Sequence, residues 1–157
     1  MVLVWVCTST CYYIGNFYLK YLKGDIFINT IISAFAETGS LVLAGGIYLR
    51  FGLKRALLIC YFICAVGSVL TACFEESLVH WIPIFVLFSK FGVGASFGLI
   101  YVANFIFPVE IASQTLGFCN TTARLFTMVA PLIAELEPPV PMMLMTSFAL
   151  VAGIAQQ

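Results

Sequence analysis

The sequence predicts an all-α membrane protein, a bundle of six transmembrane helices, on three observations. Of its 157 residues, 62% are hydrophobic and 9% charged, against roughly 25% charged in soluble domains, which leaves too little polar material to coat a globule. Mean hydropathy is +1.09. The apolar residues are gathered into segments long enough to cross a ~30 Å hydrocarbon core, separated by short charged or proline-rich links.

The first span covers about 2–21 and ends at Lys20, Lys23, Gly24 and Asp25. With no charged stretch before it and lysines behind it, it is not expected to be a cleavable signal peptide. The second span, 26–49, runs into a basic turn, Arg50-Phe51-Gly52-Leu53-Lys54-Arg55. The third, 56–74, is closed by Glu75-Glu76, and the fourth, about 81–107, stops at Pro108. A polar link over 109–114 leads into the fifth span, 112–135. Pro138, Pro139 and Pro141 then break the chain before a last apolar run, 142–155, which is short for a full crossing. These six segments are expected to form one unit over 1–157. Arg50, Lys54 and Arg55 have no acid among them, so their turn should face the cytoplasm, and six spans then put both chain ends on that side.

Three ionisable residues fall inside the spans. Glu37 lies about twelve residues, or ~18 Å of helix, from the flanking charges Asp25 and Arg50, near the bilayer midplane. Arg124 sits similarly, midway along the fifth span. Lys90 lies roughly 10 Å into the fourth, where snorkelling to the interface and lining a cavity are equally open. Charges at such depth are costly and demand a partner, a wet cavity or a ligand. Glu37 and Arg124 together would suit a zwitterion or amphipathic ion, and the plainer reading is a salt bridge that neutralises both. Tyr12, Tyr13 and Tyr101 are candidates for an aromatic lining that attracts organic cations, although packing is the default for each alone. Gly92, Gly94 and Gly98 form a stripe of small residues that lets another helix approach closely.

Other function classes find little support. Lys plus Arg equals Asp plus Glu, for a formal net charge of zero, so no basic surface invites nucleic acid. The six cysteines include the i,i+4 pairs Cys7/Cys11 and Cys60/Cys64. These pairs share helix faces without making a four-ligand metal set, and no metal or other cofactor is expected. His80, the chain's only histidine, stands beside a membrane edge rather than at the depth a hydrolytic base would need. Walker A and dinucleotide-binding sequences are absent. The chain is not expected to be an enzyme.

The order and spacing of several motifs resemble the organic cation/anion transporter branch of the major facilitator superfamily, in its C-terminal six-helix half. Trp5, Tyr12-Tyr13 and Gly24-Asp25-Ile26-Phe27-Ile28-Asn29 are similar to that family's seventh helix and its exit into the eighth. Arg50 to Arg55 resembles the basic cytoplasmic turn between helices eight and nine. Lys90-Phe91-Gly92, Phe97, Tyr101 and Phe107-Pro108-Val109-Glu110 resemble the tenth helix and its cytoplasmic end, and Gly117, Asn120, Arg124 and Pro131 the eleventh. The resemblance implies half of a major facilitator fold, a solute carrier that moves small organic ions by alternating access between two bundles. Glu37, Arg124, Lys90, Tyr12, Tyr13 and Tyr101 would then meet substrate. Arg50, Gly52, Lys54, Arg55, Pro108 and Glu110 would belong to the cytoplasmic gate. Leu49, Phe105 and Ala112 stand where the family usually places charged residues, which puts that gate in question. A lone half has no opposing wall, so the chain is expected to be a fragment, to pair with another six-helix bundle, or to have lost transport and to serve in assembly.

Overall fold

A computed structural model of the chain describes residues 1–21, 25–74 and 81–156, without the side chain of Pro83. Lys23, Gly24, Glu75, Glu76 and His80, all used above, lie outside those residues. The described residues form helices α1 (Val2–Tyr18), α2 (Ile26–Phe74), α3 (Ile82–Ala103), α4 (Val109–Thr127), α5 (Ala130–Ala134) and α6 (Val140–Ala155), with a 3-10 turn at Asn104–Ile106 after α3. No strand occurs among them. Two helical stretches among them, Ile26–Phe74 and Ile84–Ile106, are long and apolar enough to cross a membrane, and Val140–Ala155 is apolar but shorter.

α1 is the hub. It packs against α3, α4, α5 and α6 and is buried nearly all round, with Trp5, Ile14 and Tyr18 at the core. Two of its sequestered hydroxyls are satisfied within the helix: Thr8 donates to the Val4 carbonyl at 2.8 Å and Thr10 to that of Val6 at 2.8 Å. Such back-bonding lets small polar residues sit between packed helices without an unmet donor.

The second and third predicted spans differ from expectation, because the basic stretch is helical on both sides of a single break. α2 holds 49 residues, and only Gly52 leaves helical geometry, at φ 73° and ψ 168°. That conformation belongs essentially to glycine. A straight helix of 49 residues would reach ~74 Å, whereas both limbs of α2 pack on α3 at the same level. A methyl group at Gly92 of α3 would overlap the Cys64 backbone of the second limb, and one at Gly94 would come within 2.5 Å of Ser40 Oγ of the first. Residues on either side of Gly52 can share that level only if the chain doubles back there. The second limb runs antiparallel to α3, because Gly67 meets the backbone at Phe88 and Ser89 as Gly92 meets Cys60 and Cys64.

The fifth predicted span is also redrawn. Residues 109–114, read as a link, are the first turns of α4. Pro108 is extended, at φ −53° and ψ 145°, and its carbonyl accepts from Ile111 N at 3.1 Å and Ala112 N at 3.0 Å. Glu110 falls in that first turn, where a negative charge complements the helix dipole. At the far end α4 stops at Thr127, four residues before Pro131, whose nitrogen has no proton to donate to that carbonyl. The helix resumes as α5.

Candidate functional site

Three helices converge on the tyrosine pair of α1. Tyr12 and Tyr13 are consecutive, so their side chains diverge by about 100° around the helix and address different neighbours. The Tyr12 hydroxyl donates to Glu37 Oε1 on the first limb of α2. Its ring stacks on Phe97 of α3, with centroids 4.9 Å apart and planes 25° apart. Tyr13 turns toward α4, where Arg124 Nη1 donates to its hydroxyl at 3.0 Å and the guanidinium carbon lies 5.9 Å from the ring centroid. The two tyrosine rings meet edge to face at 5.6 Å.

Glu37 and Arg124 therefore do not grip one another, since each is held by its own tyrosine hydroxyl. Lys90 is 3% exposed, so it is enclosed by protein and does not snorkel. Its ammonium donates to Asn16 Oδ1 and stands 5.7 Å from the Tyr12 centroid. It also lines a void of about 10 Å³ with Gly15, Thr71 and Ser89, a volume on the scale of one water. Tyr101 extends the aromatic row: it lies 5.5 Å from Phe97 and 5.0 Å from Trp5, edge-on to both. At the opposite end Tyr13 stacks on Phe17 at 6.4 Å. The six rings form a continuous strip flanked by one carboxylate and two cations.

The strip is a face of the bundle rather than a sealed chamber. Arg124, Phe17 and Tyr101 are exposed, and Glu37, Tyr12 and Tyr13 are half-buried. Glu37 is further ordered by its own helix, where Ser40 donates to its carbonyl at 2.7 Å. Asn16, Phe97 and Trp5 belong to this arrangement although they were not among the candidate site residues. Asn16 carried a signal, because it lies one helical turn beyond Tyr12 and so shares its face.

The remaining candidates lie elsewhere. Arg50, Lys54 and Arg55 are exposed around the Gly52 reversal, and Pro108 and Glu110 are exposed at the start of α4. Asn104 joins the end of α3 to α4 through Nδ2, which donates to the Ala112 carbonyl at 3.1 Å. Gly94 and Gly98 face Ser40 and Leu41 of the first limb of α2. Gly94 to Gly98 also spells G-x-S-x-G, the pattern of a hydrolase nucleophile turn. Here it is mid-helix, and the fully buried Ser96 donates to the Gly92 carbonyl at 2.8 Å, so the exposed strand-to-helix setting of such a nucleophile is missing. Five cysteines are buried thiols and Cys73 is exposed. Among the described residues no cluster of three or more metal-ligating side chains forms.

No protein-family model matches the chain. It is 28% identical over 163 residues to the human organic cation/carnitine transporter 2, covering 98% of this chain. It is 26% identical over 154 residues to the organic cation transporter-like protein of Drosophila melanogaster, covering 96% of this chain. The third relative, solute carrier family 22 member 16 of Bos taurus, is 26% identical over 156 residues, with 97% of this chain covered. The matches take in 27–28% of the length of these relatives. Over almost its whole length, then, the chain is similar to roughly a quarter of organic cation and carnitine transporters.

Proposed function

We propose that this chain is a membrane-spanning bundle of six helices, one half of a carrier that moves small organic ions or zwitterions by alternating access. The other half would be supplied by a longer chain or by a second bundle. The observation that carries this reading is the tyrosine pair, which holds a carboxylate and a guanidinium apart on one open aromatic face. A structural salt bridge would neutralise the two charges directly. Here both keep bonding capacity: Glu37 has a second oxygen, and Arg124 has donors beyond the one given to Tyr13. A carboxylate would be taken by the Arg124 fork. An ammonium would be taken by Glu37 and the faces of Tyr12, Phe97 and Tyr101. The presence of Lys90 as well gives the face two cations to one carboxylate, which favours ligands bearing an anionic group over simple cations. In this reading the turn at Gly52 and the junction at Pro108 form the cytoplasmic end of the bundle. The names of the relatives support the carrier class.

The test is uptake of labelled organic cations, anions and zwitterions into vesicles holding the protein. Glu37→Gln should impair uptake of cations and zwitterions, and Arg124→Ala uptake of anions and zwitterions. Uptake that survives both substitutions unchanged would remove this face from the substrate path. No uptake of any class by wild-type protein reconstituted with its second bundle would favour a role in membrane assembly instead.

A further inference from the structure

The end of the bundle at the Gly52 reversal holds a second feature, separate from the tyrosine face. A recess of about 420 Å³ opens there, lined by Tyr48, Leu49, Leu53, Val102, Phe105 and Ile106, with Gly52 at its edge. A neighbouring recess of about 240 Å³ shares Leu53 and Ile106 with it and reaches Lys54 and Leu57. Most of the lining side chains are aliphatic or aromatic, and the first recess exposes polar as well as apolar surface. Its rim carries some of the most exposed large apolar side chains in the chain, Leu49 at 84% and Phe105 at 85%.

The same reversal clusters charge. Arg50, Lys54 and Arg55 are all exposed within one turn on either side of Gly52. Glu110, four residues past Ile106, is exposed as well. A slot lined by apolar side chains, with exposed cations on the adjoining turn, has the chemistry of an acyl chain below an anionic headgroup.

We infer that this recess binds one anionic phospholipid, its acyl chain in the slot between α2 and the end of α3 and its headgroup on Arg50, Lys54 and Arg55. The inference rests on the membrane-spanning reading and not on transport, so lipid binding is read without any uptake assay. The charged rim selects the headgroup, because juxtamembrane cations attract anionic lipid within a Debye length of the surface. The apolar slot makes the interaction depend on the acyl chain, which separates a lipid site from a site for free anions.

The test is titration of the delipidated, detergent-solubilised protein with dioleoylphosphatidylserine or dioleoylphosphatidylcholine, with bound lipid counted by native mass spectrometry. The serine lipid should bind at least tenfold more tightly. Removing all three cations as Arg50→Gln, Lys54→Gln and Arg55→Gln should abolish that preference, a loss of roughly 100-fold at most. The Arg50→Lys, Arg55→Lys variant should retain it. Leu53→Trp, which fills the slot, should weaken both lipids, with helicity by circular dichroism unchanged. Soluble glycerophosphoserine should not compete. Equal binding of the two lipids by wild-type protein, or a preference that survives loss of the three cations, would overturn the inference. Full competition by glycerophosphoserine would replace the lipid with a headgroup-sized anion and overturn it equally.

Discussion

The Tyr12–Glu37 bond should be worth more to the fold than the Tyr13–Arg124 bond, although the two look alike on paper. Tyr12→Phe removes one hydroxyl and leaves the ring on Phe97. Glu37, half-buried, then loses a charge-assisted partner in a setting where water replaces it poorly. Hydrogen bonds to charged groups contribute about 1.5–3 kcal/mol, and measured bonds between membrane helices reach about 1.7. A coupling of ~1.5 kcal/mol, about tenfold in the unfolding equilibrium, is expected from the cycle Tyr12→Phe, Glu37→Gln and their combination. Tyr13 meets an exposed guanidinium, which solvent serves almost as well. The cycle Tyr13→Phe, Arg124→Gln should therefore give less than ~0.5 kcal/mol. The assay is reversible unfolding of micelle-held protein by sodium dodecyl sulfate, followed by circular dichroism. Equal couplings, or the larger one at Tyr13, would refute the claim that enclosure separates these two bonds.

Further outcomes follow from the backbone and from the buried amine. Gly52→Ala meets no neighbour within 4 Å, so its whole cost is conformational, about 1–3 kcal/mol, read in the same unfolding assay. Gly39→Ala, equally free of neighbours but at an ordinary helical position, should be neutral or stabilising by up to ~1 kcal/mol. Gly92→Leu should prevent assembly, because its side chain would displace the Cys60–Cys64 backbone. Gly98→Ala, which presses only on the end of Leu41 at 2.9 Å, should cost under ~1 kcal/mol, and the yield of monodisperse protein separates the two. Lys90→Met keeps the volume and removes a buried charge, so stability should hold within ~1 kcal/mol while vesicle uptake falls.

Composition and spacing made the kinds of element legible, and also the residues worth suspecting. Glu37, Lys90 and Arg124 stand out as charges within apolar runs, and Tyr12 and Tyr13 as polar-tipped aromatics. Which of them touch was not legible. That depends on the rotation of α1 about its axis, and α1 is apolar or small on nearly every side, so periodicity does not orient it. Boundaries were misread where local polarity and backbone geometry disagree. Residues 109–114 look like a link by composition, yet Pro108 starts a helix there. Arg50 to Arg55 looks like a loop by charge, yet one glycine completes the reversal and the basic residues stay helical. Pro131, by contrast, announces the end of α4 four residues ahead of itself, through the amide proton it lacks.

The placement of α1 has a consequence for biogenesis. Of the elements described, the ribosome releases it first, yet the surfaces that enclose it come from α3, α4, α5 and α6, which are made later. During that wait α1 lacks those neighbours. Thr8 and Thr10 tolerate the delay because their protons are already committed to carbonyls one turn earlier on the same helix. The bond between Thr8 and Tyr61, at 2.6 Å, closes only when the second limb of α2 arrives. An earlier polar contact, from Tyr12 to Glu37, becomes available as soon as the first limb is made.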